Sequence, residues 1–428
     1  MRKTDAPCRG EAAIKTRLAA APLPAGAGLP CRGGFWPHAP RGPAVACRRT
    51  VDLFIDSYKP NTAVRQGQKK HKIQVVIVGP SPPGDVNGNA QTARRWQRLL
   101  GAHHAVRATT HWPDAQAHSD QVMLALHARK SAPSIAAWAR QHPGHGLAVV
   151  LTGTDLYRDV AVDASAQQSL ALAQQLVVLN ALGPQALPAA WRHKARVVLQ
   201  SVGARAAVPA KTLRHLRAVV VGHLREEKDP HTVWAAVQLA AAAGGGMGGT
   251  GGVNGGWCID HMGHALVPAL GAAAQRVQQQ APSRYRWLGG LPHAIVRQRM
   301  ARAHVLVHPS RMEGGAHVVM EAICSGTPVL ASRIDGNVGL LGPDYEGYFS
   351  PGDAAGLRAL LDATRASQGQ PNGLLARLGQ QCAARAPLFH PAAEQQALLT
   401  LVAHLAQFAP LAGHAAAGAV QAPPTPAA

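Results

Sequence analysis

Two stretches decide the fold: Ile73-Gln-Val-Val-Ile-Val78 running into Gly79-Pro80, and Ala218-Val-Val-Val221 running into Gly222. Each is a short, β-branched apolar run that stops at a turn glycine, as a parallel strand buried on both faces does. After the first, a loop from Ser81 to Asn89 leads into a helix around 90–100, with Ala93, Trp96, Leu99 and Leu100 on one face. Short apolar runs follow at 122–126, 147–151, 176–179 and 196–199. After the second, a helix beyond Pro230 precedes runs at 285–288, 304–307 and 328–331. Strand and helix alternate twice over, which predicts an α/β chain of two Rossmann-like doubly wound domains facing a cleft. Ligands are expected at the carboxyl ends of the strands.

The boundaries follow from composition. Residues 1–71, rich in Arg, Ala, Pro and Gly without a sustained period, read as a disordered leader or a misassigned start. An organelle transit peptide and a nucleic-acid-binding arm are the functional alternatives for that stretch. The first Rossmann-like domain is expected over 72–212 and the second over 213–386. Within the second, 244–256 has nine glycines in 13 residues and reads as a flexible surface insertion. A C-terminal helix is expected over 387–410 and a disordered tail over 411–428.

The formal net charge of +21 points at first to nucleic acid or an anionic surface. Its distribution argues otherwise. Residues 1–72 hold 14 Lys/Arg against 4 Asp/Glu, about half the excess in a sixth of the chain. With only 18 aromatic residues, a base-stacking protein is disfavoured. No apolar run reaches the roughly 18 residues needed to span a bilayer, so neither nucleic acid nor membrane is expected as a partner. The six cysteines show no C-x-x-C spacing, which fits a reducing cytoplasm without structural zinc or disulfides.

Two motifs carry the chemistry. The first is Arg311-Met-Glu313-Gly314-Gly315-Ala316-His317-Val318-Val-Met-Glu321, which follows the 304–307 strand and opens a helix closed by Gly326. Gly314 and Gly315 would let a ligand approach the backbone, and the free N–H groups at the helix start favour phosphate. Glu313 and Glu321 can face one ligand at different depths. Hydrogen bonds from sugar hydroxyls to such carboxylates contribute about 1.5–3 kcal/mol each. Taken singly, Glu313 could equally be a helix cap and Glu321 a solvated helix residue. The second motif is Gly222-His-Leu-Arg225-Glu-Glu-Lys228-Asp-Pro230, where two cations three residues apart can converge on a diphosphate. The bland alternative is a charged loop whose own glutamates pair with those cations.

These motifs resemble the nucleotide-sugar half of the family-four glycosyltransferases of GT-B fold, together with Gly326-Thr-Pro328-Val. The resemblance covers roughly 72–410. It implies that Arg225 and Lys228 bind the donor diphosphate, Glu321 the ribose hydroxyls and Glu313 the donor sugar. Gly314, Gly315, Ala316, His317 and Val318 would line the same site, with Gly88 and Asn89 approaching from the first half. One departure is Asp335-Gly-Asn-Val-Gly339, where the family's usual acid is missing.

The runs Asn87-Gly-Asn89-x-Gln-Thr92-Ala-Arg94-Arg95-Trp96, Leu126-His127-Ala-Arg129-Lys130-Ser131 and Leu151-Thr-Gly-Thr154-Asp155-Leu-Tyr157-Arg158-Asp159 are similar to one branch, the selenosugar synthases of selenoneine biosynthesis. That similarity implies transfer of a sugar such as N-acetylglucosamine or glucose from a UDP-sugar to selenophosphate. It also implies coupling to a selenophosphate-supplying enzyme and a selenosugar-using enzyme. A small nucleophilic anion needs cations and donors, and Arg129, Lys130, Thr154 and Arg158 stand at strand ends where such a pocket would form. His127 and Asp155 are the candidate catalytic groups beside Glu313, and Arg94-Arg95 reads as an exposed helix face. A selenium nucleophile is already anionic, so a strong general base is unnecessary. The absence of any Asp-x-Asp pair predicts a metal-independent reaction without cofactor. An ordinary hydroxyl acceptor and a UDP-sugar epimerase or hydrolase on the same scaffold are the alternatives.

Overall fold

The computed structural model describes residues 72–407 apart from 83–84, 86, 204–208 and 245–255. The leader, most of the glycine-rich insertion and the tail lie outside the described residues, and so do the expectations placed on them.

The first half opens with β1 (Gln74–Val78), α1 (Gly88–Gly101), β2 (Ala105–Thr109), β3 (Val122–Leu126), α2 (Ala132–Gln141) and β4 (Leu147–Leu151). It continues with α3 (Ala164–Leu172), β5 (Gln175–Val178) and β6 (Ala195–Val197). The second half holds β7 (Leu216–Val221), α4 (Pro230–Gly244), β8 (Trp257–Met262), α5 (Pro268–Gln280), β9 (Tyr285–Trp287), α6 (His293–Arg302) and β10 (Val305–His308). After it come α7 (His317–Cys324), β11 (Val329–Ser332), α8 (Asp335–Leu341), β12 (Tyr348–Phe349), α9 (Ala354–Ala366), α10 (Leu374–Arg385) and α11 (Pro391–Ala406).

Both sheets are parallel, with strand orders β2-β1-β3-β4-β5-β6 and β12-β11-β10-β7-β8-β9. The order reverses beside β1 in the first sheet and beside β7 in the second, which opens a crevice at the carboxyl ends there. This is the doubly wound α/β architecture expected, twice over.

Three strands escape a search for apolar runs, each for a visible reason. β2 is half-buried along its length and carries Arg107, whose guanidinium is held by Asp114 and Asp120. β8 buries Asp260 and His261 in mid-strand, where Arg286 and the Tyr285 hydroxyl satisfy them. β12 is only two residues long.

The C-terminal helix does not stay with the second half. Leu398, Leu401, Val402 and Leu405 of α11 join Val75, Ile77, Trp96 and Leu100 in one buried cluster on the first sheet. Burying each such side chain contributes about 1.5–3 kcal/mol. Glu394 enters with them, fully covered, and accepts from Arg95 Nε at 3.1 Å, Trp96 Nε1 at 2.7 Å and Ser201 N at 2.7 Å. Arg95 is therefore buried beneath α11, not on an exposed face as expected. An amphipathic pattern cannot show that a helix some 300 residues later covers the polar side.

Candidate active site

The switch point beside β7 assembles the donor-side groups. β10 ends at His308, the loop after it presents Glu313, and the loop after β7 presents Lys228. The Lys228 ammonium rests on Glu313 Oε1, and His308 Nε2 lies 3.3 Å from the same oxygen. Burial alone would raise the carboxyl's pKa. Lys228 and His308 outweigh it and hold Glu313 well below the usual carboxylate range. Burial pushes the imidazole of His308 down. Arg225 stands in the same loop, exposed, and its guanidinium makes no hydrogen bond or ion pair among the described residues.

The loop carrying these cations is fastened from both sides. Asp229 adopts a left-handed conformation (φ 43°) and is buried. It accepts from Thr232 Oγ1 at 2.7 Å and pairs with Arg311 Nε at 3.1 Å. The Arg311 N–H in turn donates to the carbonyl of Glu227. The two motifs found in the sequence are thus one structural unit.

Eight residues past Glu313, Glu321 is buried inside α7, with Oε1 2.6 Å from His293 Nε2 and 3.5 Å from His317 Nδ1. Burial opposes its ionisation, but the two imidazoles prevail and bring its pKa down to about 2. His293 is raised in return, chiefly by its hydrogen bond to Glu321. His317 begins α7 and reaches back with Nε2 to the carbonyl of Ser201, 3.2 Å away in the connection between the halves. Ala316 precedes it as the cap residue, and no side chain caps this helix start, so the N–H groups of His317 and Val318 face outward from the first turn.

Gly314 and Gly315 stand against the loops of the first half. A Cβ on Gly314 would stand 2.5 Å from the Thr152 carbonyl carbon and 2.6 Å from Gly153 N, and one on Gly315 would stand 2.6 Å from Leu179 Cβ. The glycine pair admits the loops of the first half. Asn180 Nδ2 seals that seam by donating to the Gly314 carbonyl at 2.7 Å and to the Tyr157 hydroxyl at 3.1 Å. Ala181 N also reaches the Gly339 carbonyl at 3.4 Å. The stretch that departs from the family pattern lies here too: a Cβ on Gly336 would stand 2.0 Å from the Glu313 carbonyl.

On the first half, Asp155 is fully buried and both its oxygens are occupied. Oδ2 accepts from Ala128 N at 3.0 Å, while Oδ1 accepts from Thr152 N at 2.8 Å and Gly153 N at 2.9 Å. The carboxylate thereby ties the loop after β3 to the loop after β4 and orients both. His127 is buried in a left-handed turn (φ 75°), with Thr154 Oγ1 3.3 Å from Nε2 and Lys130 N 3.4 Å from Nδ1. Burial lowers its pKa against the opposing pull of Asp155. It braces the turn that presents Arg129 and Lys130.

One π-helical turn, Asp155–Asp159, follows β4 and aims Arg158 and Asp159 at that turn. Such turns recur at functional sites. Asp159 receives Arg129 Nε at 2.8 Å and Arg158 Nε at 3.1 Å, which together outweigh burial and lower its pKa. Arg158 also lies 3.8 Å from Glu227 on the second half. The Lys130 ammonium makes no hydrogen bond or ion pair among the described residues, and its charge acts on His127. Gly88 and Asn89 are not in the loop after β1 but in the first turn of α1, where Asn87 caps Ala90 N at 3.0 Å. No hydrogen bond or ion pair ties them to the second half among the described residues.

His293, His308 and Asn180 were missed as site residues. Asn180 follows β5 and His308 ends β10 and opens the run that carries Glu313, strand-end positions like the one that singled out His127, whereas His293 opens α6 and has no such signal. Among the described residues no cluster of three or more His, Cys, Asp or Glu is placed to hold a metal ion. No helix among them is long and apolar enough to cross a membrane.

The comparisons with known proteins bear on the second half first. Residues 275–366, which include Glu313 and Glu321, match the profile of the glycosyl transferases group 1. No curated protein matches the chain in sequence. Among solved structures, HepE of Anabaena in complex with UDP and glucose superposes with a TM-score of 0.56 at 15% identity, over 78% of this chain and 100% of its own. Sucrose-phosphate synthase of Thermosynechococcus elongatus superposes with a TM-score of 0.59 at 14% identity, over 78% of this chain and 99% of its own. Residues 275–366 are thus similar to the group 1 glycosyltransferases, and the two halves share the GT-B fold of these solved structures.

Proposed function

We propose that the protein transfers a sugar, N-acetylglucosamine or glucose, from a UDP-sugar to selenophosphate, yielding a 1-selenosugar for selenoneine biosynthesis. The observation that carries the donor half is the convergence of Lys228, Glu313 and His308 at the second switch point, with Glu321 just over one turn inside the helix that follows. Two carboxylates held ionised suit hydroxyl donors on a sugar and a ribose, and Arg225, Lys228 and the first turn of α7 suit a diphosphate. The capture of UDP and glucose by HepE supports the choice of nucleotide.

The acceptor half rests on charge. Arg129 and Arg158 both pair with Asp159, Arg158 also approaches Glu227, and Lys130 adjoins Arg129, so three cations stand in the loops at the carboxyl ends of β3 and β4. Cations in that place suit a small dianion better than a neutral hydroxyl. Selenium would attack C1 of the sugar, the C1–O bond to the diphosphate would break, and UDP would leave with the electron pair; hydrolysis of the P–Se bond of the resulting sugar Se-phosphate would then give the 1-selenosugar and inorganic phosphate. Arg225 and Lys228 would stabilise the charge that develops on UDP, and closure along Gly314 would align the reactants. His127 and Asp155 hold the acceptor loops in place. The reading requires no divalent ion or cofactor, and it implies enzymes that supply selenophosphate and consume the selenosugar.

Mass spectrometry of products from a panel of UDP-sugars, each offered with selenophosphate or thiophosphate, tests this reading. A selenium-bearing sugar formed with release of UDP is the expected result. UDP release without acceptor would identify a hydrolase or epimerase, and product only with a hydroxyl acceptor would identify an ordinary glycosyltransferase.

A further inference from the structure

Glu321 is held by one oxygen only. His293 and His317 both address Oε1, and Oε2 makes no hydrogen bond among the described residues. His293 comes from a different element, the first turn of α6, and its ring is largely exposed while the carboxylate it grips is buried. A glutamate free at both oxygens samples several rotamers, whereas one fixed through Oε1 presents Oε2 in a single direction.

We infer that His293 is a positioning residue for nucleotide recognition: it clamps Oε1 of Glu321 so that Oε2 is aimed at the ribose hydroxyls. This rests on the donor-site reading above. The clamp also makes recognition of the ribose sensitive to pH. The charged groups around the pair are His317 and Cys324 on α7 and Arg297 one turn along α6. Arg297 opposes protonation of His293, and Glu321 favours it more strongly. The protonated ring grips the carboxylate most firmly, so the clamp loosens as pH rises through the raised pKa of His293.

The test uses the full chain and two probes, UDP and 2′,3′-dideoxyuridine 5′-diphosphate, with dissociation constants measured by calorimetry. The probes share base and diphosphate, so their ratio isolates the ribose hydroxyls and cancels titration of the phosphates. Wild type should prefer UDP, and His293→Ala should weaken UDP about fivefold while leaving the dideoxy probe unchanged. His293→Gln, which retains an N–H donor, should recover part of the preference and lose its decline with rising pH. Two other outcomes overturn the inference, and they are distinguishable. If Glu321→Ala abolishes the preference but both His293 variants keep it, the clamp is wrong and the donor site stands. If wild type and Glu321→Ala bind both probes alike, the donor-site reading fails and the clamp falls with it.

Discussion

Asn180, at the end of β5 in the first half, donates its side-chain N–H to the main-chain carbonyl of Gly314 in the second, 2.7 Å away. The bond crosses the crevice beside Glu313, and it forms because neither Gly314 nor Gly153 across the seam has a side chain to keep the loops apart. Closure and the donor site are therefore built from the same residues.

Gly314→Ala should separate them. The added methyl would meet Thr152 and Gly153 backbone at 2.5–2.6 Å, which has no flexible side chain to yield. Displacing reacting groups by about 1 Å lowers turnover on the order of 100-fold. Sugar transfer should fall by that amount while UDP affinity, set by the second half, changes little. Parallel calorimetry and UDP-release assays would show the split.

Arg225→Ala and Lys228→Ala should differ in their effect on stability, though both residues are proposed to act on the diphosphate. Arg225→Ala removes an exposed, unpartnered guanidinium, so turnover should drop about 10²–10³-fold at an unchanged melting temperature. Lys228→Ala strips Glu313 of its first counter-charge inside a buried site, so both turnover and melting temperature should fall. Thermal melts beside steady-state kinetics check the contrast.

Glu394 should matter to folding. Replacing it by Ala leaves Arg95, Trp96 and Ser201 with buried donors unpaired, and breaking a buried pair costs about 3–5 kcal/mol. Denaturant titration of Glu394→Ala should show a loss of that size.

The Glu321–His293 pair should give a stability window in pH. The folded pKa of Glu321, about 2, lies below the unfolded value of about 4.3. Its contribution is therefore complete above about pH 4.3 and lost as pH falls toward 2. His293 is raised above about 6.5, so its contribution is complete below that pH and lost as pH rises through the folded value. The stability difference between wild type and Glu321→Gln should be widest between those limits and narrow on both sides, as pH-dependent denaturation would reveal.

Much of the site was legible because its residues follow strands directly. Arg225, Lys228, Glu313 and Glu321 stand at positions where any doubly wound half presents its loops, and a local pattern suffices to find them. Asp155 stands at an equally legible position, but the main-chain N–H groups of two loops folded over its carboxylate are recorded by no residue pattern. His293 was invisible for the opposite reason, since nothing near it in sequence marks an imidazole that will meet Glu321 across two helices.

Periodicity and strand-end chemistry, both set by near neighbours, were enough to establish two parallel-sheet halves and the cations and carboxylates of the second. Contacts between distant segments were decided only when the chain packed. α11 returning over Arg95, the glycine pair receiving the first half's loops, and the histidines on Glu321 all depend on which surfaces meet. The burial that makes Glu394 a structural partner and Glu313 a held anion is a property of the packed chain, because desolvation has no meaning until the surrounding elements are in place.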